Sequence, residues 1–178
     1  MCCRCVQAKK LDEIVRWWGG KLEVLIGLSD FKTSFNVSPG QMLPVIFGRG
    51  GHSALSLMKW GLPTGFLQKE KDRESLSYNA RIETVLQKKS FSQLMRNRRC
   101  TVLCTGYYEW KKENGKRIPY FIHFPGMSIL PLAGLWTDSA DGGAMCFTVI
   151  TKNARRSIAH IHDRMPLILA DEKIEKWI

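Results

Sequence analysis

No stretch of this 178-residue chain approaches the ~18–20 consecutive apolar residues a membrane-spanning helix needs. That reads against a membrane protein. The first residues, Met1-Cys2-Cys3-Arg4-Cys5-Val6, lack the continuous apolar stretch of a secretory signal. The six cysteines are therefore expected to be reduced thiols in a reducing compartment rather than a disulfide framework. No internal repeat, low-complexity tract or linker-like segment breaks the chain, which excludes fibrous and solenoid classes and predicts one domain over 1–178. Acidic residues are scarce: 16 Asp and Glu face 27 Lys and Arg, a formal charge of +11. With 44% apolar residues, a chain of this length can bury a real core, so disorder is disfavoured.

What the composition favours is a soluble, basic globular domain. An isoelectric point near 9.6 suits a nucleic-acid binder, because Lys and Arg that neutralise phosphates release counterions; a merely basic surface is the competing reading. The cations cluster, with Arg96, Arg98 and Arg99 close together, Lys88-Lys89 upstream, and the pairs Lys111-Lys112 and Arg155-Arg156 further on. Whether Arg98 and Arg99 face DNA or a neighbouring acid is left open by the sequence. The charged run Gln68–Ser75 reads as an exposed loop.

Leu11, Ile14, Val15 and Trp18 recur at helical spacing and stop at Gly19-Gly20, which predicts an amphipathic helix. Ser90-Phe91-Ser92-Gln93 has a capping-box pattern ahead of a second short helix, and Asp171 is expected to cap a last helix reaching Trp177. Strands are expected over Val45–Phe47, Ala54–Trp60, Thr101–Cys104, Ile129–Trp136 and Cys146–Thr151, which are rich in β-branched and aromatic residues. Tyr107–Lys112 and Arg117–Phe124 flank Asn114-Gly115, the strongest short-range hairpin signal. The fold class is thus α+β with a mainly antiparallel core.

Cys2 carries the most unusual chemistry. Once Met1 is removed, the chain begins with an amine and a thiol on adjacent carbons, titrating near ~8 and ~8.5. Such a 1,2-aminothiol condenses with an aldehyde to an imine, which the thiol closes to a thiazolidine. An incidental cysteine on a frayed terminus is the alternative. Glu109 sits among Tyr107, Tyr108 and Trp110, where burial would raise its pKa and poise it for proton transfer; a carboxylate paired to a surface lysine is equally compatible. His160, His162, Asp163 and Arg164 follow a strand. Phe35–Gly40 reads as a turn fixed by Pro39, and Tyr78–Thr84 alternates amide, cation and carboxylate. Cys100-x3-Cys104 with His160-x-His162 is a sparse alternative for structural zinc.

Ten of these stretches fall in order between residue 1 and about 169. They are Met1-Cys2, Asn36-x-x-Pro39, Trp60-Gly61-Leu62-Pro63, Asn79-Ala80-Arg81-x-Glu83-Thr84, Arg98-Arg99-Cys100, Gly106-Tyr107-Tyr108-Glu109-Trp110, Pro119-Tyr120, Ala133-Gly134-Leu135-Trp136, Phe147-Thr148-x-Ile150-Thr151 and Ile161–Pro166. Together they resemble the SOS response-associated peptidase (SRAP) family.

The resemblance implies a barrel-like β core with short peripheral helices. It implies action on abasic sites in single-stranded DNA: Cys2, freed of Met1 by autocatalytic processing, crosslinks to the ring-opened sugar as a thiazolidine. Asn79 is implied to hold the Cys2 backbone and amine, Glu109 to serve Met1 release and imine formation, and His162 to protonate or position the sugar oxygen. Arg4, Asn36, Pro39, Trp60, Arg81 and Arg164 are the implied DNA contacts, Arg81 on a phosphate and Trp60 stacked on a base. No cofactor or metal is implied, nor any membrane. A monomer is expected, in the cytoplasm of a bacterium or the nucleus of a eukaryote. A non-covalent single-stranded nucleic-acid-binding domain is the alternative function. Two departures stand out: Cys3 occupies the position after the nucleophile where the family usually has Gly, and the family's closing segment after Trp177 is absent from the sequence.

Overall fold

The computed structural model describes residues 3–26, 30–63, 76–139 and 142–178. Met1, Cys2 and the Gln68–Ser75 run lie outside them. The chain opens with β1 (Cys5–Gln7), α1 (Leu11–Trp18), β2 (Leu22–Val24) and β3 (Ser34–Val37). Two long strands follow, β4 (Met42–Arg49) and β5 (His52–Trp60), then the short β6 (Leu62–Pro63), β7 (Leu76–Ser77) and β8 (Asn79–Arg81). Short helices α2 (Lys89–Ser92) and α3 (Leu94–Asn97) lead into β9 (Arg99–Cys104) and the hairpin β10 (Gly106–Glu113) and β11 (Lys116–Ile122). The chain ends with β12 (Leu130–Thr137), β13 (Cys146–Asn153), β14 (Arg164–Pro166), a 3-10 turn at Asp171–Lys173 and α4 (Ile174–Trp177).

The larger sheet runs β14-β13-β12-β9-β4-β5-β2, and an additional parallel pairing of β13 with β5 brings it back on itself. The result is a strand ring, barrel-like rather than a true barrel. Its strands are buried on both faces. Val45, Phe47, Ala54, Val102, Phe147 and Val149 fill the interior. The alternating Ile46, Leu55 and Leu103 meet Leu11 and Ile14 of α1 outside it, and Ala133, Leu135 and Ile150 meet Phe91 and Ile174. Such strands read as near-continuous apolar runs, which is why they stand out in the sequence.

A second sheet, β11-β10-β1-β3, packs against the ring through Cys5, Tyr107, Val37 and Ile122. Asn114 and Gly115, at φ 49° and 75°, make the two-residue turn that Asn-Gly announces. The structure is α+β and mostly sheet.

Three local expectations need correction. Helix α2 begins one residue before Ser90, with Lys88 at its N-cap and no side-chain cap, since an ammonium has no acceptor to offer the first N–H groups. Asp171 lies inside the 3-10 turn that Ala170 precedes, not at a cap. Phe35–Gly40 is not all turn: Ser34–Val37 pairs with β1, and the turn is confined to Ser38–Gln41.

Candidate active site

β1 pairs with β10 only at Gly106 and Tyr107, so the flank of β10 from Glu109 onward has no strand beside it on that side among the described residues. A cleft of about 680 Å³ occupies this flank. Cys3, Arg4, Glu109, Trp110 and Lys111 wall one side and the loop carrying His160, His162 and Asp163 the other.

Strand alternation turns Glu109 to the same side as the core residue Tyr107, and the carboxylate is only 2% exposed. Burial therefore pushes its pKa up, with the imidazole of His162 pulling the other way. His162 Nε2 stands 3.9 Å from Glu109 Oε2. The Arg164 backbone N–H donates to His162 Nδ1 at 3.0 Å, and Asp163 Oδ1 lies 2.9 Å from the same nitrogen. A backbone N–H can only donate, so Nδ1 is the acceptor and the ring proton sits on Nε2, facing Glu109. At 3.9 Å the Nε2–Glu109 contact is longer than a hydrogen bond, so the two groups face each other across the cleft without bonding directly.

Asn79 approaches Cys3, at the start of the chain, from a different element. β8 lies parallel to β13, pairing Asn79 with Val149 and Arg81 with Thr151. Residues two apart on a strand share a face, so half-buried Asn79 and exposed Arg81 point the same way while Ala80 enters the core. Asn79 Nδ2 lies 3.9 Å from Cys3 Sγ, which sets the amide against the start of the chain. Cys2 itself is outside the described residues.

Arg4 Nη1 donates to Asn36 Oδ1 at 3.1 Å. Pro39 sits in a turn closed by the Gln41 N–H on the Ser38 carbonyl, with Gly40 at φ 89° supplying the left-handed position of a Pro-Gly turn. The Gly40 N–H donates to the Trp60 carbonyl, fixing this turn to β5.

Two implied DNA contacts are corrected by the geometry. Trp60 is 0% exposed inside the ring, where its Nε1 donates to the Tyr78 carbonyl at 2.8 Å and its ring stacks on Phe147. It props up the segment that carries Asn79, and no base can reach it. Arg164 is 7% exposed, and its fork is spent on protein: bidentate to Glu83 at 2.8 and 3.0 Å, with Asn153 Oδ1 at 2.6 Å and the Thr151 carbonyl at 2.8 Å. The Arg164 guanidinium holds the Glu83 carboxyl down to about 2. This clamp ties the end of β8 to β13 and β14, and so fixes Asn79 relative to His162.

Arg98 and Arg99 also have protein partners. Arg98 pairs with Asp138 and lies over the Trp136 ring, while Arg99 bonds the Met95 and Trp177 carbonyls. The zinc alternative fails: Cys100 and Cys104 are buried in β9, and among the described residues no three His, Cys, Asp or Glu side chains gather as metal ligands. No helix among the described residues is long and apolar enough to cross a membrane. Trp110, His160 and the start of the basic hairpin line the cleft without having been singled out for it. Their only sequence signal is adjacency to Glu109 and His162.

The family model described as SOS response associated peptidase (SRAP) matches residues 1–178. "Abasic site processing protein YoqW" of Bacillus subtilis is 30% identical over 182 residues, covering 100% of this chain and 80% of that one. "Abasic site processing protein HMCES" of Gallus gallus is 33% identical, covering 83% of this chain and 54% of its own. A crystal structure of a Bacteroides thetaiotaomicron protein superposes with a TM-score of 0.85 at 28% identity, over 99% of this chain and 80% of that one. Fold, motifs and relatives agree: the chain belongs to the SRAP family.

Proposed function

We propose that the protein processes abasic sites in single-stranded DNA by forming a covalent thiazolidine between Cys2 and the lesion's aldehyde, after autocatalytic removal of Met1. The observation that carries this reading is that Glu109 and His162 face each other in a cleft lined by Cys3, and that the Asn79 amide lies against the same Cys3 at the start of the chain. The relatives named abasic site processing proteins support the same substrate.

In this reading the Cys2 amine adds to the aldehyde carbon and water leaves as the imine forms. The Cys2 sulfur then adds to the imine carbon while the thiol proton passes to the nitrogen, so one water is lost overall. A carboxyl whose pKa is raised by burial is suited to carry protons at both stages and during cleavage of the Met1–Cys2 bond. His162, protonated at Nε2, faces the position from which it can donate to the opened sugar's oxygen. Asn79 orients the amine through its amide. Arg81, exposed on the same face as Asn79, holds a flanking phosphate, and Arg4, bonded to Asn36, meets the strand together with Pro39. The chain needs no cofactor, works as a monomer, and Cys3 narrows the cleft beside the nucleophile.

The test is the intact mass of the purified protein before and after incubation with single-stranded DNA carrying one abasic site. Loss of Met1 followed by a gain equal to the oligonucleotide minus water is expected. Retained Met1, or processed protein without adduct but with salt-dependent DNA binding, would sink the covalent chemistry in favour of a binding-only domain.

A further inference from the structure

The second sheet has a side that the core does not use. Cys5, Tyr107 and Val37 point inward, so the residues alternating with them point out. Tyr108 opposes Phe121, Trp110 opposes Pro119 and Lys112 opposes Arg117 across the hairpin, and Arg4 stands beside Tyr108, its carbonyl taking the Tyr108 N–H at 2.9 Å. On β3 the register slips by one residue between Cys5 and Gln7, a bulge that turns Phe35 outward together with Asn36.

Around Phe121 the outward rings are assembled, while Phe35 stands on the opposite edge strand. Phe121 lies 5.2 Å from Tyr108 and 5.4 Å from His123, the latter pair nearly parallel at 20°. Its ring rests on Gly106, where a Cβ would come within 2.5 Å of it. Yet Phe121 remains 46% exposed and Phe35 70%. Keeping two phenyl rings in water costs stability unless something covers them. The register places Arg4, Lys112 and Arg117 among the rings and no carboxylate on this face of the strands. Charge of one sign between exposed aromatics suits an anionic partner with planar faces. The other aromatic hollow is different: Trp17 and Trp18 are ringed by Asp171, Glu172 and Glu175, which repel phosphate.

We propose that this outer face is a second nucleic-acid contact surface, on which bases of the single strand flanking the lesion stack against Phe35 and Phe121 while Lys112 and Arg117 hold its phosphates. It rests on the single-stranded DNA reading above and extends it. Arg4, Trp110, Lys112 and Arg117 also line the cleft, so the strand leaving the cleft meets this face without a gap. Stacking on open aromatics is tolerant of sequence, as a scanner of random lesions requires.

The experiment compares a strand of ~4 nucleotides, long enough for the cleft alone, with one of ~16, long enough to cross the sheet. Both carry an unreactive abasic analogue, and binding is read by fluorescence anisotropy over a salt series. The Phe35→Ala/Phe121→Ala double variant is expected to lose about 10-fold or more on the long strand and little on the short one. Phe35→Tyr/Phe121→Tyr is expected to retain the affinity. Lys112→Glu/Arg117→Glu, at the exposed hairpin end and so safe for folding, is expected to flatten the long strand's log–log salt slope by about one to two. Equal losses on both strands in the Phe35→Ala/Phe121→Ala variant, or no loss on the long one in either folded variant, would overturn the proposal. Adduct formation is scored separately by mass. No adduct from the wild type, together with a length-dependent loss in the Phe35→Ala/Phe121→Ala variant, sinks the thiazolidine reading and leaves this surface standing. An adduct with length-independent affinity does the reverse.

Discussion

Glu83 and Glu109 are both carboxylates set near a cationic or protonatable partner from the same short segment, Arg164 and His162, yet they are pushed in opposite directions. Glu83 lies at the surface end of a bidentate pair whose other half is buried, and its pKa falls to about 2. Glu109 is sunk beside Tyr107 with its imidazole too far for a full hydrogen bond, and burial drives its pKa up. The first arrangement satisfies its charge and locks three strands. The second sinks a protonatable group in the wall of a cleft, where burial outweighs the charges that pull its pKa down. That is the division of labour expected between a scaffold and a site, where perturbed acids are kept for proton transfer.

Swapping the two carboxylates for amides breaks the comparison most sharply. In Glu109→Gln the initial rate of adduct formation on abasic DNA is expected to fall by about 10²–10⁴-fold, the usual contribution of a positioned proton carrier, and Met1 removal to slow with it. Glu83→Gln is expected to leave the rate per folded molecule within a few-fold. Time-resolved intact mass measures both. Equal rate losses in the two variants would mean that Glu109 only shapes the cleft.

Their effects on stability are expected to run the other way. The folded pKa of Glu83 is depressed, so between about 4.5 and about 2 the unfolded chain binds more protons, and stability is lost as pH falls through that window. Glu83→Gln removes this share of the acid sensitivity and lowers Tm at neutral pH, because it strips the counter-charge from a buried guanidinium. For Glu109 the sign reverses. Its folded pKa is raised, so its favourable contribution is complete below the unfolded value near 4.5 and is lost as pH rises through the folded one. Glu109→Gln is therefore expected to match the wild type in melts near pH 4 and to exceed it at pH 7.5. A Glu109→Gln variant less stable than wild type at pH 7.5 would contradict the raised pKa.

Much of this was legible before any coordinates, for reasons that differ by region. The ring strands announce themselves because both faces are dry, and the hairpin because Asn114-Gly115 demands left-handed backbone. β1, β2, β3, β8 and β14 are three or four residues long: too short for any periodicity, they exist through their partners. At the site, Glu109 stood out by its aromatic company and the family resemblance singled out His162 and Asn79, but no sequence pattern tells an arginine that meets phosphate from one that meets a carboxylate. Arg164 and Arg81 stand in similar polar company in the sequence. Only the fold reveals that Glu83 has already claimed the first. Trp60 misleads in the same way, since an exposed and a buried indole share one letter.

Trp60→Phe puts the smallest and most discriminating strain on the comparison. The substitution keeps an apolar ring beside Phe147 and removes the Nε1–H that supports the Tyr78 carbonyl. That carbonyl also receives the Val149 N–H at 3.2 Å, so it is not left bare. The loss is then about one hydrogen bond, ~0.5–1.5 kcal/mol, with a further part for the space the smaller ring leaves behind. Urea unfolding should register it as a lower midpoint with unchanged slope. Affinity of the folded protein for single-stranded DNA should hold, because an indole with no exposed surface has no base to lose. If Trp60→Phe instead weakens DNA binding several-fold while the unfolding midpoint stays put, then the ring opens in solution, Trp60 belongs to the site, and the boundary drawn between scaffold and cleft must move inward to include β5.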